Sequence, residues 1–191
     1  MQNKSNTSQQ SQTISSSSLL ITAGAAVIAL SAQLPLQVPL LDTDIPGTWQ
    51  TFAVLVFAYA NRPVVAILAV VLYLLLGILG LPVFAEGSSG FSVLIGNTGG
   101  YLYGFVIGAG LISYIGRQYP QRGIFNAIIA MTVGTITILL FGVVHLSVSI
   151  GINQALTYGL YPFVLGALIK IVLGAAVFPV FYSIKTLVNR F

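Results

Sequence analysis

Residues 161–184 read YPFVLGALIKIVLGAAVFPVFYSI, with Lys170 the one charged side chain in the run. An α-helix rises about 1.5 Å per residue and a bilayer's hydrocarbon core is about 30 Å thick, so ~20 apolar residues cross it. The run is long enough and apolar on every face. It lacks the polar stripe of a surface helix and the alternation of a barrel strand. Five more apolar stretches precede it: Leu19–Leu34, Trp49–Ala60, Val64–Leu81, Val93–Ile115 and Ile124–Leu146. The second is short and must borrow flanking residues, tilt or break.

Composition agrees. The 191 residues include 7 Lys+Arg, 3 Asp+Glu, one His and no Cys, so charged residues are 5% against roughly 25% in a soluble domain. Ten charged side chains cannot cover the surface of a water-soluble fold this size. The missing thiol excludes disulfides, Cys-ligated zinc and iron–sulfur clusters. Residues 1–18, MQNKSNTSQQSQTISSSS, carry only Lys4 and hold almost nothing to bury. They are expected to form a disordered tail; as a signal peptide's n-region the tract is long and weakly charged. The division expected is thus 1–18 as tail and 19–191 as a six-helix transmembrane domain.

Charge sets the topology. With the N-terminus inside, Lys4, Arg62, Arg117, Arg122, Lys185 and Arg190 fall on one side, and Asp42, Asp44 and Glu86 on the other. The positive-inside rule makes the basic side cytoplasmic. The expected architecture is an all-α membrane protein with six transmembrane helices and both termini cytoplasmic.

Lys170 breaks the pattern. It sits nine residues into the last span, ~13 Å deep at helical rise. A charge there costs about 2.5–3.5 kcal/mol on insertion scales, and snorkelling reaches poorly from mid-span. No Asp or Glu lies in any span to pair with it. Such an ammonium either loses its proton or awaits an anion from outside.

Polar and small residues gather near the outer side. Pro82–Gly108 reads PVFAEGSSGFSVLIGNTGGYLYGFVIG. Ser88–Gly90, including Ser89, is a flexible loop or a gate. Gly96, Gly100, Gly104 and Gly108 recur every four residues; the inner pair, Gly104 and Gly108, suits helix packing. The outer pair, Gly96 and Gly100, flanks Asn97, Thr98 and Tyr101, polar groups that need partners at that depth, some of which a ligand could supply. Thr48-Trp49-Gln50-Thr51 opens the second span, where Trp49 suits an interfacial anchor, and Tyr158, Tyr161, Pro162 and Phe163 open the last. Together these suggest a pocket open to the outside for a small amphipathic anion, with Lys170 at its floor. The candidate contacts are Lys170, Asn97, Tyr101, Gln50, Thr51, Gly100, Ser89 and Tyr161. In the first span, Ala25-x-x-x-Ala29 permits close helix approach, either within the protein or against another subunit.

Much chemistry is missing. There is no G-x-x-x-x-G-K-[ST] for nucleotide, His145 is solitary, and no buried carboxylate pair is available for acid–base work. An enzyme is not expected, nor a resident cofactor, a metal or a nucleic-acid partner. No internal repeat suggests an inverted-repeat carrier.

The order Ile45-Pro46-Gly47-Thr48-Trp49-Gln50-Thr51, Tyr73-Leu74-Leu75-Leu76-Gly77, Gly80-Leu81-Pro82-Val83-Phe84, Gly87-Ser88-Ser89-Gly90, Thr98-Gly99-Gly100-Tyr101 resembles the BioY family. These are biotin-specific substrate-binding (S) components of energy-coupling factor (ECF) transporters. The resemblance implies six transmembrane helices, an outward-facing pocket and capture of biotin at a bacterial-type plasma (inner) membrane. It implies as partners a transmembrane T component, docked on the alanine-rich first span, and two cytoplasmic ATPases. The family's last helix reads P-F-x-x-G-D-x-x-K, with acid and lysine both facing the ligand. Here Pro162-Phe163-Val164-Leu165-Gly166-Ala167-Leu168-Ile169-Lys170 keeps the lysine and replaces the acid by Ala167. That leaves biotin and a biotin-like small carboxylate both open as ligand. Two other classes remain beside this reading: a membrane assembly protein with Lys170 paired to a partner's acid, and a proton- or ion-coupled carrier that titrates Lys170.

Overall fold

The computed structural model describes the backbone of residues 2–35, 47–118 and 123–188, and side chains within 16–35, 47–118 and 123–178. Asp42, Asp44, Arg122 and Arg190, four of the charges behind the topology, lie outside the described residues, as do the side chains of Lys4 and Lys185. Among the described residues the chain is all-helical apart from one isolated bridge, Pro35 to Thr48.

The helices are α1 (Gln2–Ala32), α2 (Gln50–Ala60), α3 (Pro63–Ile78), α4 (Phe91–Ile95), α5 (Gly99–Gln118), α6 (Ile124–Ile150), α7 (Ile152–Gly159) and α8 (Tyr161–Val188), with a 3₁₀ turn at Ala85–Gly87. The six apolar runs appear as α1, α2, α3, α5, α6 and α8. Two short helices are additional. Val93–Ile115, expected as one span, breaks at Gly96 into α4 and α5, and α7 follows Gly151, whose φ of 80° suits glycine. α1 is helical from Gln2, across the tract whose composition favours a tail. Once a helix is nucleated, each further residue adds a hydrogen bond, so a polar segment can continue it.

Local chemistry fixes the ends. Pro63 opens α3 at a position where its missing N–H is no loss, and Arg62 before it is extended (φ −68°, ψ 150°) as a pre-proline residue must be. α3 closes on Gly80, at φ 99°. The Gly80 amide donates to Gly77 O at 3.1 Å and the Leu81 amide to Leu76 O at 3.1 Å, a Schellman cap.

Side-chain bonds fix helix direction. At one end, Ser113 Oγ of α5 donates to Asn61 O just past α2 (2.5 Å), Asn126 Nδ2 of α6 donates to Gly116 O of α5 (3.1 Å), and Tyr59 of α2 stacks edge-on against Phe178 of α8. At the other end, Gln33 beyond α1 reaches the loop after α3, and Tyr101 of α5 reaches the end of α7. The six long helices therefore alternate in direction. α5 and α6 approach most closely. A Cβ on Gly100 would enter the Phe141 carbonyl and His145 Cβ, and one on Gly104 would lie 2.8 Å from Ile138 Cα. Glycine at these positions lets two backbones touch.

The interior holds Ile28, Leu55, Tyr59, Tyr73, Phe84, Ile112, Met131 and Ile138, all fully buried. Outward-facing positions are also apolar: Leu68 and Leu75 of α3, Ile136 and Leu140 of α6, and Leu165, Leu168 and Val172 of α8 are exposed. An apolar exterior on an apolar core marks a membrane protein. α5, α6 and Tyr161–Phe178 of α8 are long and apolar enough to cross a bilayer, while Ser16–Ala32, α2 and α3 are apolar but shorter. Within α1, Gly24, Ala25, Ile28 and Ala32 are buried and Ala29 packs against the core. The Ala25-x-x-x-Ala29 motif thus packs within the protein, and Ala23, Ala26, Val27 and Leu30 form the exposed face.

Candidate functional site

Lys170 is the buried cation among the described residues, only 6% exposed. Its side chain turns inward from α8, and Nζ donates to the Thr48 backbone carbonyl at 2.6 Å. Gly174, one turn on, brings α8 close to Met131 of α6 and Val56 of α2. Thr48 is held from its other side. Its bridge to Pro35 is accompanied by the Trp49 amide donating to Leu34 O at 3.2 Å, so the entry to α2 is pinned to the exit of α1. The carbonyl engages one of the three ammonium donors, and a neutral acceptor leaves the formal charge unpaired. Glu86 is the only acid among the described residues, and it is exposed.

A polar chain leads away from this point. The Gln50 amide donates to Thr48 Oγ1 (3.3 Å), and Gln50 Nε2 donates to the Tyr73 hydroxyl (2.6 Å). The Tyr73 ring meets Phe84 edge-on at 5.5 Å. Phe84 in turn is anchored by Gln33, whose Nε2 donates to Phe84 O at 2.9 Å, and by its own amide bonded to Ser88 O at 3.1 Å. The cation and the loop bearing Ser89 therefore belong to one connected structure.

Tyr101 belongs to a second group. Its hydroxyl donates to Gly159 O at 2.6 Å, its ring lies 6.0 Å from Phe163, and Gly142 supplies the space for it. His145 Nε2 bonds the Gly96 carbonyl at 3.0 Å and must carry the proton there, so α6 holds the break between α4 and α5. Tyr103 packs edge-on to that imidazole and donates to Leu94 O at 2.8 Å.

The candidate residues are therefore distributed. Lys170 and Gln50 come together through Thr48, with Thr51 half-buried one residue further on. Ser89 is half-buried in the loop beyond Phe84. Gly100 is buried where α5 meets α6, so its small size serves packing there, as at Gly104 and Gly108. Asn97 is exposed in the break, and Tyr161 is 58% exposed at the start of α8. No hydrogen bond or ring contact links Tyr101 to Lys170 among the described residues. Thr48 O, Tyr73, Phe84 and Gln33 are absent from the sequence-derived set. Tyr73 carried a usable signal: a hydroxyl within an apolar run must find a partner.

Comparison with known proteins agrees with this architecture. The sequence profile of the BioY family matches residues 2–187. The chain belongs to the BioY family. It is 38% identical over 156 residues to Biotin transporter BioY2 of Lactococcus lactis subsp. cremoris, covering 81% of this chain and 83% of that protein. It is 38% identical over 133 residues to Biotin transporter BioY of Thermotoga maritima, covering 70% of this chain and 78% of the relative. These BioY relatives carry the names of transporters, not enzymes. The fold is shared with the crystal structure of an S-component for biotin from an ECF-type ABC transporter. The TM-score is 0.75 at 23% identity, over 89% of this chain and 90% of that one. Against the BioY last-helix pattern, Ala167 is half-buried on α8, one turn before Lys170 and on the same face.

Proposed function

We propose that this BioY chain is the membrane component that captures biotin for uptake. The observation that carries the reading is the buried Lys170 ammonium, held by a backbone carbonyl instead of a carboxylate. A carboxylate ligand would supply the missing counter-charge through charge-assisted hydrogen bonds. Gln50, bonded to Thr48, and Tyr73, bonded to Gln50, offer neutral hydrogen-bonding groups for the rest of the molecule, with Thr51 and Ser89 as further candidate contacts. Asn97, Tyr101, Gly100 and Tyr161 stay in the proposal as wall or entrance residues around the α4–α5 break and the start of α8.

In this reading α1, α2, α3, α5, α6 and α8 cross the plasma membrane of a bacterial-type cell. Both termini are cytoplasmic and the pocket opens outward. The alternating helix directions support it, as does the placing of Arg62 and Arg117 at the end opposite Glu86. Uptake is energised by a separate T component and two ATPases, consistent with a chain that lacks a nucleotide-binding motif. One substitution favours a second ligand. With Ala167 where the family carries an acid, a biotin-like carboxylate without ureido N–H donors would lose less by binding here than biotin does.

Mass spectrometry of the small molecule that copurifies in mild detergent tests the proposal. Retained biotin supports it, a retained analogue moves the assignment to the second reading, and copurifying protein with no small molecule refutes both.

A further inference from the structure

The end of the bundle opposite Lys170 has a cavity of its own, about 450 Å³, bounded by Ser17 and Ile21 of α1, Arg62 and the first turns of α3, and Arg117 at the end of α5. Its lining is ordered by depth. Ser17 lies at the start of the apolar segment Ser16–Ala32, Arg62 immediately before α3 and Arg117 in the last turn of α5. Ile21 is one turn further along α1, and Leu68 is five residues into α3 from Pro63, about 7 Å deeper at helical rise. Val64 and Leu68 share a face of α3 and are 67% and 43% exposed, so the apolar wall continues out of the cavity along the lipid-facing surface. Among the described residues, no acid lines the cavity. The start of α3 has no side-chain cap and adds the partial positive charge of a helix N-terminus.

Two guanidiniums suit a phosphate ester, because each offers a rigid fork of donors matched to paired oxygens. A free phosphate ion would use the arginines and leave the apolar wall idle. An amphiphile uses both. We propose that this cavity binds the phosphate head of an anionic phospholipid, with its acyl chains running along Ile21, Val64 and Leu68. The site is independent of Lys170 and of the transported ligand.

The test is native mass spectrometry on the full-length, delipidated protein, titrated with dioleoyl phosphatidylglycerol or dioleoyl phosphatidylcholine. A basic residue at a membrane surface favours an anionic lipid by about fivefold, so two give a preference of about 25-fold for phosphatidylglycerol. Arg62→Gln combined with Arg117→Gln should remove that preference while thermal unfolding stays near wild type. Millimolar inorganic phosphate should leave the bound lipid in place. Equal retention of the two lipids by wild-type protein would overturn the proposal without any variant. So would an undiminished preference in the double variant, and displacement by phosphate would make this a site for the free ion.

Discussion

Replacing Lys170 by methionine keeps the apolar stem and deletes the ammonium, and two effects on stability oppose each other. A charge at this depth costs about 2.5–3.5 kcal/mol on insertion scales. Its removal also takes the 2.6 Å donor from the Thr48 carbonyl, and an orphaned buried acceptor costs about 1–3 kcal/mol. These nearly cancel, so the thermal midpoint in detergent should move by only a few degrees. Affinity has no such compensation. A hydrogen bond to a charged group contributes about 1.5–3 kcal/mol, which corresponds to roughly 10- to 150-fold in Kd. Calorimetric titration with biotin and with its methyl ester, on both proteins, isolates the contact. Wild type should prefer the acid by that factor, and the Lys170→Met protein should bind acid and ester alike. A methionine variant that binds biotin as well as wild type, or that still prefers the acid, would refute the assignment of Lys170 to the ligand's carboxylate.

Gln50→Leu deletes the bond to the Tyr73 hydroxyl and should destabilise the protein by about 1–3 kcal/mol in a detergent melt; adding Tyr73→Phe should recover most of it, because both polar partners then leave together. Gly100→Ala places a methyl group against the Phe141 carbonyl and should cost about 1–3 kcal/mol as overpacking, read from the same melt.

The long elements were legible because membrane helices are apolar on all sides, and a continuous run needs no periodicity to be seen. The break before Gly99 was not. Gly96, Gly100, Gly104 and Gly108 keep a perfect four-residue spacing, and that spacing reads as unbroken helix whether or not the chain is helical at its first member. α7 was hidden for the opposite reason: INQALTYG is short and mixed, and its helicity depends on packing Ala155 and Gly159 against its neighbours. At the site, the inward burial of Lys170 followed from the cost of exposing a charge to lipid. Its partner did not, since a backbone carbonyl belongs to every residue and Thr48 carries no mark of the role. Gly100 shows the converse: in sequence it stood among polar residues, yet what it meets is another helix's backbone.

The Lys170–Thr48 bond joins residues 122 positions apart in the chain. A ribosome must therefore deliver α8 as well as α2 before these two atoms can meet. With Lys170 as the proposed partner of the ligand's carboxylate, recognition of cargo would be a late event in biogenesis, and a product truncated ahead of α8 would lack that cation.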